Sequence, residues 1–413
     1  MAIISKVPVG IAIGCILAAP VFGKACPAGK PSTNTVSGGF DYTYPYPIRY
    51  LPIETQGQTL CQAYMDILPR SAAKGNADSD KANRHNDDAD QDNGYDDDDD
   101  DGDEEGPGRS DLIESRTDGG MKKAKGRKNK NKTVMMLHGK NFCSVTWEET
   151  AEFMLDQGYR VILPDQIGFC KSSKPENYDW TLQQLAVNTM LLLEELEIDS
   201  VILMGHSLGG MLAARFALMF PGMVEKLIMV DPVGLEDWKA KGVPYLPLED
   251  IYQVESSSSY ESIRAYEQAV YYLGEWTPAY DVWVRMLLKL YNGPLGDLYA
   301  RIQSEIVNMV FTQPVIYEFP LLGATPSPAN NGIALNVETL LVVGANDTTA
   351  IGAQWSPPEI AQRLGDYPAL ARNAVNLIGE STATAIIYPN VGHVPQISDP
   401  EMFHADLIDW LES

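Results

Sequence analysis

The chain has 413 residues, of which 45% are hydrophobic, so it is long enough to bury the core of one large domain or two smaller ones. Its formal net charge of −25 argues against nucleic acid as a partner, since a phosphate-binding surface needs clustered lysine and arginine. The sequence has no Cys-x-x-Cys spacing of the kind that marks metal or redox sites, and we predict neither a metal nor a cofactor.

The first 25 residues have the pattern of a signal peptide. Lys6 precedes an apolar run over residues 7–19, and the small-residue pattern Gly23-Lys24-Ala25 follows it. We expect cleavage after Ala25 and a secreted or extracytoplasmic protein; an uncleaved signal anchor is the alternative. The run is too short for a stable membrane span, and no other apolar run in the sequence is long enough for a membrane helix.

Cleavage after Ala25 leaves four cysteines, which are Cys26, Cys61, Cys143 and Cys170. An even number in a secreted chain permits disulfides, with three possible pairings. Buried free thiols are an equally good interpretation of Cys143 and Cys170.

Residues 72–132 form a charged segment with few apolar residues. Residues 96–101 are all aspartate, and a lysine-rich block follows over residues 122–132. Runs of like charge cannot bury a core, so we expect a disordered insert; calcium binding by the acidic run and anion binding by the basic block are minor alternatives. The insert leads into the amino end of a predicted parallel strand, so it is expected to emerge at the edge of the sheet opposite the catalytic loops.

The remaining sequence predicts an α/β domain. Two strands joined by a turn precede the insert, at residues 48–54 and 59–68. Behind the insert, strands alternate with helices, the strands at residues 133–137, 160–163, 201–204 and 226–230 and the helices at 147–157, 182–196 and 208–220. This alternation builds a mostly parallel sheet with helices on both faces.

The alternation stops after Asp231. Residues 234 to about 331 have a helical, aromatic-rich pattern, and strand patterns resume at residues 338–343 and 383–388, before a last helix at 402–411. The predicted units are a signal peptide (1–25), N-terminal core strands (26–71), the charged insert (72–132), a first core segment (133–233), a helical cap (234–335) and a second core segment (336–413).

Ser207 is the predicted nucleophile. It lies in Gly205-His206-Ser207-Leu208-Gly209, directly after an apolar strand and before a helix, which is the setting of a nucleophile elbow. Side chains at the two glycine positions would clash with the neighbouring strand and helix. A serine hydroxyl is a poor nucleophile without a base, so a histidine partner is expected.

His393 is the predicted general base. The other histidines lie in the charged insert, at a strand end, inside the elbow and on the last helix, and they are His85, His138, His206 and His404. His393 follows the last strand, at the carboxyl edge of the sheet where open α/β sheets place their ligands.

The acid that orients the imidazole has two candidates. Asp347 follows the strand at 338–343, and the order Ser207, Asp347, His393 is that of a hydrolase triad. Asp231, at the end of the preceding strand, is the competitor. We favour Asp347, and Asp231 is then expected to cap the turn that leads into the cap domain.

Two backbone N–H groups are predicted to form an oxyanion hole. One belongs to Leu208, the residue after the nucleophile, and the other to the loop that follows the strand at 133–137. By position Lys140 is the first choice for this second donor and Asn141 the next.

These motifs resemble the capped α/β-hydrolase superfamily. The similarity rests on His138-Gly139, the loop from Pro164 to Ser173, Gly205 to Gly210, Gly344-x-x-Asp347 and Gly392-His393-x-Pro395, in the order and spacing of that family. It implies an α/β-hydrolase fold, with an eight-stranded, mostly parallel sheet and a helical cap after strand 6. Cys170 stands where glycine is commoner in the family.

The resemblance implies hydrolysis through an acyl-enzyme. Relatives with a carboxylate nucleophile, such as epoxide hydrolases and haloalkane dehalogenases, are set aside because position 207 is serine. An aromatic-rich cap favours a small, largely apolar ester or lactone as the substrate. C–C bond hydrolysis and aminopeptidase activity use the same triad and stay as alternatives, and a non-catalytic interaction protein is the rival of another class.

Overall fold

A computed structural model describes residues 26–27, 39–69, 132–326 and 332–413. The predicted signal peptide and nearly all of the predicted charged insert lie outside these residues, and both stay predictions. Among the described residues, none of the helices is long and apolar enough to cross a membrane.

Eight strands form one sheet, in the order β1-β2-β4-β3-β5-β6-β7-β8. Their bounds are β1 Ile48–Thr55, β2 Gln58–Ile67, β3 Thr133–Leu137, β4 Arg160–Pro164, β5 Val201–His206, β6 Val224–Val230, β7 Thr339–Gly344 and β8 Ala383–Tyr388. β2 pairs antiparallel with β1 and β4, and every other neighbouring pair is parallel. The predicted eight-stranded, mostly parallel sheet is confirmed.

The central strands are covered on both faces. Every residue of β3, β5 and β7 is buried, although successive side chains along a strand point to opposite faces of the sheet. Such continuous burial requires packing above and below the sheet, which explains why these strands are apolar runs rather than alternating patterns.

Helices connect the strands and end the chain. Their bounds are α1 Glu148–Asp156, α2 Leu182–Glu195, α3 Leu208–Met219, α4 Leu248–Ser256, α5 Tyr260–Val270, α6 Pro278–Tyr291, α7 Gly296–Thr312, α8 Pro358–Ala361, α9 Tyr367–Ile378, α10 Pro395–Ser398 and α11 Pro400–Glu412. Helices α4 to α7 all lie between β6 and β7, in the segment where the sequence predicts a cap. The sequence analysis missed α9, whose amino end is capped by the Asp366 side chain accepting from the Ala369 N–H.

The two edges of the sheet carry different features. β3, β5, β6, β7 and β8 run parallel, so the loops after their carboxyl ends share one edge. The opposite edge holds the end of β2 and the residue before β3: Ile67 pairs with Val161, and the Lys132 carbonyl accepts from the Arg160 N–H. The position of the predicted insert between these residues stays a prediction.

All four cysteines that follow Ala25 form disulfides, Cys26 with Cys61 and Cys143 with Cys170. The free-thiol interpretation of Cys143 and Cys170 is therefore wrong. Cys170 has a φ of +45°, in the left-handed region that favours glycine. The disulfide to Cys143, in the loop after β3, thus holds Cys170 in a backbone conformation that favours glycine. Glycine is the commoner residue at this position in the family that the sequence resembles.

Candidate active site

Ser207 lies on a strained turn between β5 and α3. Its φ is +55° and its ψ is −118°, a combination that a non-glycine residue adopts only when its surroundings impose it. The surroundings are backbone: a Cβ added at Gly205 would lie 2.1 Å from the Gly209 carbonyl oxygen, and one added at Gly209 would lie 2.1 Å from that of Leu137. Only glycine fits at either position, so the chain turns at Ser207 and presents its side chain to the cavity described below.

His393 and Asp347 form a buried hydrogen-bonded pair. The imidazole Nδ1 lies 2.6 Å from Asp347 Oδ2, and both side chains are fully buried. A carboxylate accepts, so Nδ1 carries the proton and Nε2 keeps its lone pair. This Nε2 is buried and has no hydrogen-bond partner within the described part of the chain. The arrangement leaves Nε2 as a basic nitrogen available to a hydroxyl group.

Asp231 lies beside this pair and interacts with Asp347. Its Oδ1 accepts from the Gly344 N–H at 2.9 Å, at the end of β7. Burial, and next the charge of Asp347, raise the pKa of Asp231 well above its usual value. Asp231 therefore holds a proton more readily than a free aspartate does, and it bonds the start of the Asp347 loop rather than capping the turn into the cap.

The same three side chains are also the described residues that come closest to a metal-ligand set. Asp231, Asp347 and His393 each offer a ligand atom, and these atoms lie within 4.8 Å of one another. Asp347 already accepts a hydrogen bond from His393 Nδ1, and Asp231 accepts one from the Gly344 N–H. Hydrogen bonding accounts for this cluster.

The loop after β3 is oriented by His138. His138 Nε2 accepts from the Gln166 N–H at 3.0 Å, so Nδ1 carries the proton and donates to the Gly139 carbonyl at 2.8 Å. The Phe142 N–H donates to the same carbonyl at 3.3 Å. Because a trans peptide directs its N–H opposite to its C=O, the N–H of Lys140 points away from these partners.

The loop also approaches Ser207 closely. A Cβ added at Gly139 would lie 3.0 Å from the Ser207 Cβ. On the other side, Leu208 is the first residue of α3, so its N–H has no acceptor within the helix. Lys140 and Leu208, the two predicted oxyanion donors, thus both border the candidate nucleophile, and both line the same cavity.

His206 joins the elbow to the loop that carries His393. Its Nε2 lies 2.7 Å from the His393 carbonyl oxygen, which must accept the bond. Burial, and next the neighbouring His393, lower the pKa of His206 well below its usual value, so the ring stays neutral. The residue before the candidate nucleophile therefore fixes the backbone of the candidate base.

A cavity of about 550 Å³ separates the sheet domain from helices α4 to α7. Ser207 and Leu208 form part of its wall, and most of the remaining wall is apolar. The apolar side chains are Val233, Leu246, Ile251, Val254, Ile263, Leu287, Val307, Val310, Ile351 and Trp355. A cavity of this size fits a small organic molecule, and Ser207 lies in the cavity wall.

Polar contacts across the cavity tie the loop after β3 to the helices above. Lys140 Nζ donates to Glu255 Oε1 at 2.8 Å, and Glu255 Oε2 accepts from the Tyr291 hydroxyl. Asn141 Nδ2 donates to the Tyr271 hydroxyl at 2.9 Å. Tyr271 also lies over the His393 ring, with 5.0 Å between ring centroids. One tyrosine of the cap segment thus touches both loops that border Ser207.

Several of these residues were not singled out from the sequence. Tyr271 and Tyr291 were noted only as part of an aromatic-rich segment, and Glu255 was not noted. The wall formed by Thr349, Ile351 and Trp355 was also missed. The only signal for that wall is the run of residues between Asp347 and the next helix, which mixes apolar residues into a loop.

Comparison with known proteins finds solved structures that match most of the chain. The crystal structure of a probable hydrolytic enzyme from Pseudomonas aeruginosa PAO1 is 39% identical, with a TM-score of 0.71, and the match covers 92% of this chain and 100% of that one. A family model for the alpha/beta hydrolase fold matches residues 132–278. A thermophilic esterase from Thermogutta terrifontis, 18% identical with a TM-score of 0.52, covers 88% of this chain and 98% of its own, and it shares the fold.

Curated relatives match shorter segments. A 2-hydroxy-6-oxo-6-phenylhexa-2,4-dienoate hydrolase from Comamonas testosteroni is 31% identical over 145 residues, which are 34% of this chain and 50% of that protein. The chain spans half or less of the length of the curated relatives that it matches.

Proposed function

Because the chain belongs to the α/β-hydrolase fold family, we propose that it is a serine hydrolase that cleaves a small, largely apolar ester or lactone through an acyl-enzyme. Ser207 is the nucleophile, His393 the general base and Asp347 the acid that orients the imidazole. The observation that carries the proposal is the buried imidazole of His393. Its Nδ1 bonds Asp347, and its Nε2 has no hydrogen-bond partner among the described residues.

The proposed reaction has two stages. In the first, His393 Nε2 removes the proton of the Ser207 hydroxyl as its oxygen attacks the substrate carbonyl, and the negative charge develops on the carbonyl oxygen. The backbone N–H groups of Lys140 and Leu208 stabilise that charge. The imidazolium, stabilised by Asp347, then protonates the leaving alcohol. In the second stage, water activated by His393 releases the acid and regenerates the serine.

Residues 234–335 act as the cap in this proposal. Helices α4 to α7 supply most of the apolar wall above Ser207. An apolar wall keeps water away from the reacting carbonyl, which strengthens each electrostatic interaction there. The predominance of valine, leucine and isoleucine supports an apolar acyl or alcohol group.

A second candidate is hydrolysis of a C–C bond. The similarity to a dienoate hydrolase from Comamonas testosteroni favours it, and the same serine, histidine and acid would serve. A ring-cleavage dienoate should then be turned over faster than p-nitrophenyl esters.

The decisive test is the Ser207→Ala variant. A fluorophosphonate probe should label the wild-type protein at Ser207 and leave the variant unlabelled. Turnover of p-nitrophenyl butyrate should fall by several orders of magnitude in the variant, because only transition-state binding is left. His85→Ala, a change in the predicted insert, is the matched control and should keep both properties. A Ser207→Ala protein that hydrolyses esters at a near-normal rate would refute the assignment.

An extracytoplasmic location is part of the proposal. The disulfides Cys26–Cys61 and Cys143–Cys170 support it, because disulfides form and persist in oxidising compartments. Expression of the full chain with its first 25 residues should export a protein that begins at Cys26, which amino-terminal sequencing would identify. Retention of an intact amino terminus in the membrane fraction would favour the signal anchor instead.

A further inference from the structure

The charged residues of the cavity wall are a single pair. Of the described residues that line the cavity, Lys140 is the only cation and Glu255 the only anion. They come from opposite sides, Lys140 from the loop after β3 and Glu255 from α4 of the cap segment. The wall that a substrate meets therefore has no net charge.

Lys140 and Glu255 form a short ion pair that is largely buried. Lys140 Nζ and Glu255 Oε1 are 2.8 Å apart, and the side chains are 21% and 11% exposed. The other carboxylate oxygen accepts from Tyr291, whose own pKa is raised well above its usual value by burial and next by Glu255. Tyr291 therefore remains a neutral donor. Both oxygens of Glu255 are occupied, and Lys140 has no charge to spare for a ligand.

The pair lies next to the candidate nucleophile. Lys140 follows Gly139, whose Cα hydrogen faces Ser207 so closely that an added Cβ would lie 3.0 Å from the serine Cβ. Any charged group of a substrate bound at Ser207 would meet Lys140 and Glu255 in the same cavity. A carboxylate that bonds Lys140 would have to share its single positive charge with Glu255, which places two carboxylates beside one cation in a largely buried site.

We propose that the Lys140–Glu255 pair makes the cavity selective for substrates whose acyl group carries no negative charge, and that Glu255 sets this specificity. The proposal rests on the proposed ester hydrolysis, and it narrows the substrate class to neutral esters and lactones. It also separates this chain from the Comamonas testosteroni relative, whose named dienoate is a carboxylate.

The test compares two esters of equal acyl length. p-Nitrophenyl valerate is neutral, and mono-p-nitrophenyl glutarate replaces its terminal methyl group by a carboxylate. Wild-type kcat/KM should be about 100-fold higher for the valerate, since placing like charges together costs several kcal/mol and 1.4 kcal/mol corresponds to tenfold. A wild-type enzyme that uses the glutarate as well as the valerate would overturn the proposal, whatever the variants do.

Glu255→Gln should release the charge of Lys140 while keeping the shape of the side chain. The valerate-to-glutarate ratio of kcat/KM should then fall at least about tenfold. Adding Lys140→Met to Glu255→Gln removes the freed cation and should restore discrimination. Glu249→Gln removes a carboxylate from an exposed position of the same helix and should leave the ratio unchanged. A folded Glu255→Gln protein with an unchanged ratio would refute the role of Glu255.

Binding separates this proposal from the proposed function. The two esters can be titrated against the Ser207→Ala protein, where turnover is not needed, and the valerate should bind at least about tenfold more tightly. If the wild-type protein hydrolyses neither ester and resists the fluorophosphonate, ester hydrolysis fails. Tighter binding of the valerate would still support the charge preference of the cavity, and equal binding would refute it.

Discussion

Glu267 offers a stability prediction that follows directly from burial. Its side chain, on α5, is fully buried, and neither carboxyl oxygen has a hydrogen-bond partner within the described part of the chain. Burial raises the pKa of Glu267 to about 8, from an ordinary value of 4.5. The neighbouring hydroxyl of Tyr272 also lacks a partner there, so nothing nearby compensates a negative charge. Glu267 is therefore neutral in the folded protein at neutral pH.

The difference in the pKa of Glu267 between the folded and unfolded protein makes the stability depend on pH. The unfolded chain loses this proton near pH 4.5 and the folded protein near pH 8, so folding is most favoured by this group below pH 4.5. Between the two values stability falls by about 1.4 kcal/mol per pH unit, and the full loss is about 5 kcal/mol. Glu267→Gln removes the titration. Between pH 5.5 and 7.5, wild type should lose about 3 kcal/mol relative to the variant.

Thermal unfolding measures this difference. With an unfolding entropy of about 2 cal/mol/K per residue over roughly 300 ordered residues, 3 kcal/mol corresponds to roughly 5 °C in Tm. Glu267→Gln should thus gain roughly 5 °C over wild type as the pH rises from 5.5 to 7.5. Glu261→Gln, at an exposed position of the same helix, should follow wild type at both values. A Tm difference between Glu267→Gln and wild type that does not change with pH would refute the reasoning.

Three further perturbations test other parts of the structure. Asp347→Asn should lower kcat about 10⁴-fold, the size known for a triad acid. Asp231→Asn should cost far less because the imidazole bonds Asp347, and the reverse order in steady-state kinetics would transfer the role to Asp231. Replacing Cys143 and Cys170 together by serine opens the bridge with the 27-residue separation and keeps the one with the 35-residue separation. The fold should lose about 4 kcal/mol of stability, and an unchanged Tm would contradict this. Replacing residues 76–129 with a short Gly/Ser linker should preserve kcat/KM on a small ester, and a folded variant without activity would show that the insert reaches the catalytic edge.

The fold and the catalytic candidates were largely predictable because the sequence indicates the positions and the parallel direction of the strands. Buried parallel strands have a strong local signature, and their carboxyl ends must share an edge. Ser207, Asp347 and His393 follow three parallel strands, and the sequence therefore predicts that they lie at one edge of the sheet. The structure brings Asp347 to 2.6 Å from His393, and their catalytic roles are the proposal that kinetics would test.

What the sequence did not predict depends on how separate segments dock. Lys140 and Glu255 are 115 positions apart, and no local pattern relates a lysine in one loop to a glutamate in a helix of the cap segment. The pairing of Cys143 with Cys170 is similar, since four cysteines allow three pairings and only spatial proximity selects one. Helix α9 was missed although the sequence contains a local signal for it. Its capping aspartate and a proline in its first turn lie at residues 366–368.

The position of Tyr271 has a consequence for the motions of the site. Its ring lies 5.8 Å from that of Phe142 and 5.0 Å from that of His393, and its carbonyl oxygen would lie 2.4 Å from a Cβ added at Gly392. A movement that withdraws Tyr271 would uncover both loops together, so we expect them to open as one cooperative unit. Water and substrate would then gain access to Ser207 at the frequency of a single concerted fluctuation, and the loop after β3 and the His393 loop would share the same hydrogen-exchange protection.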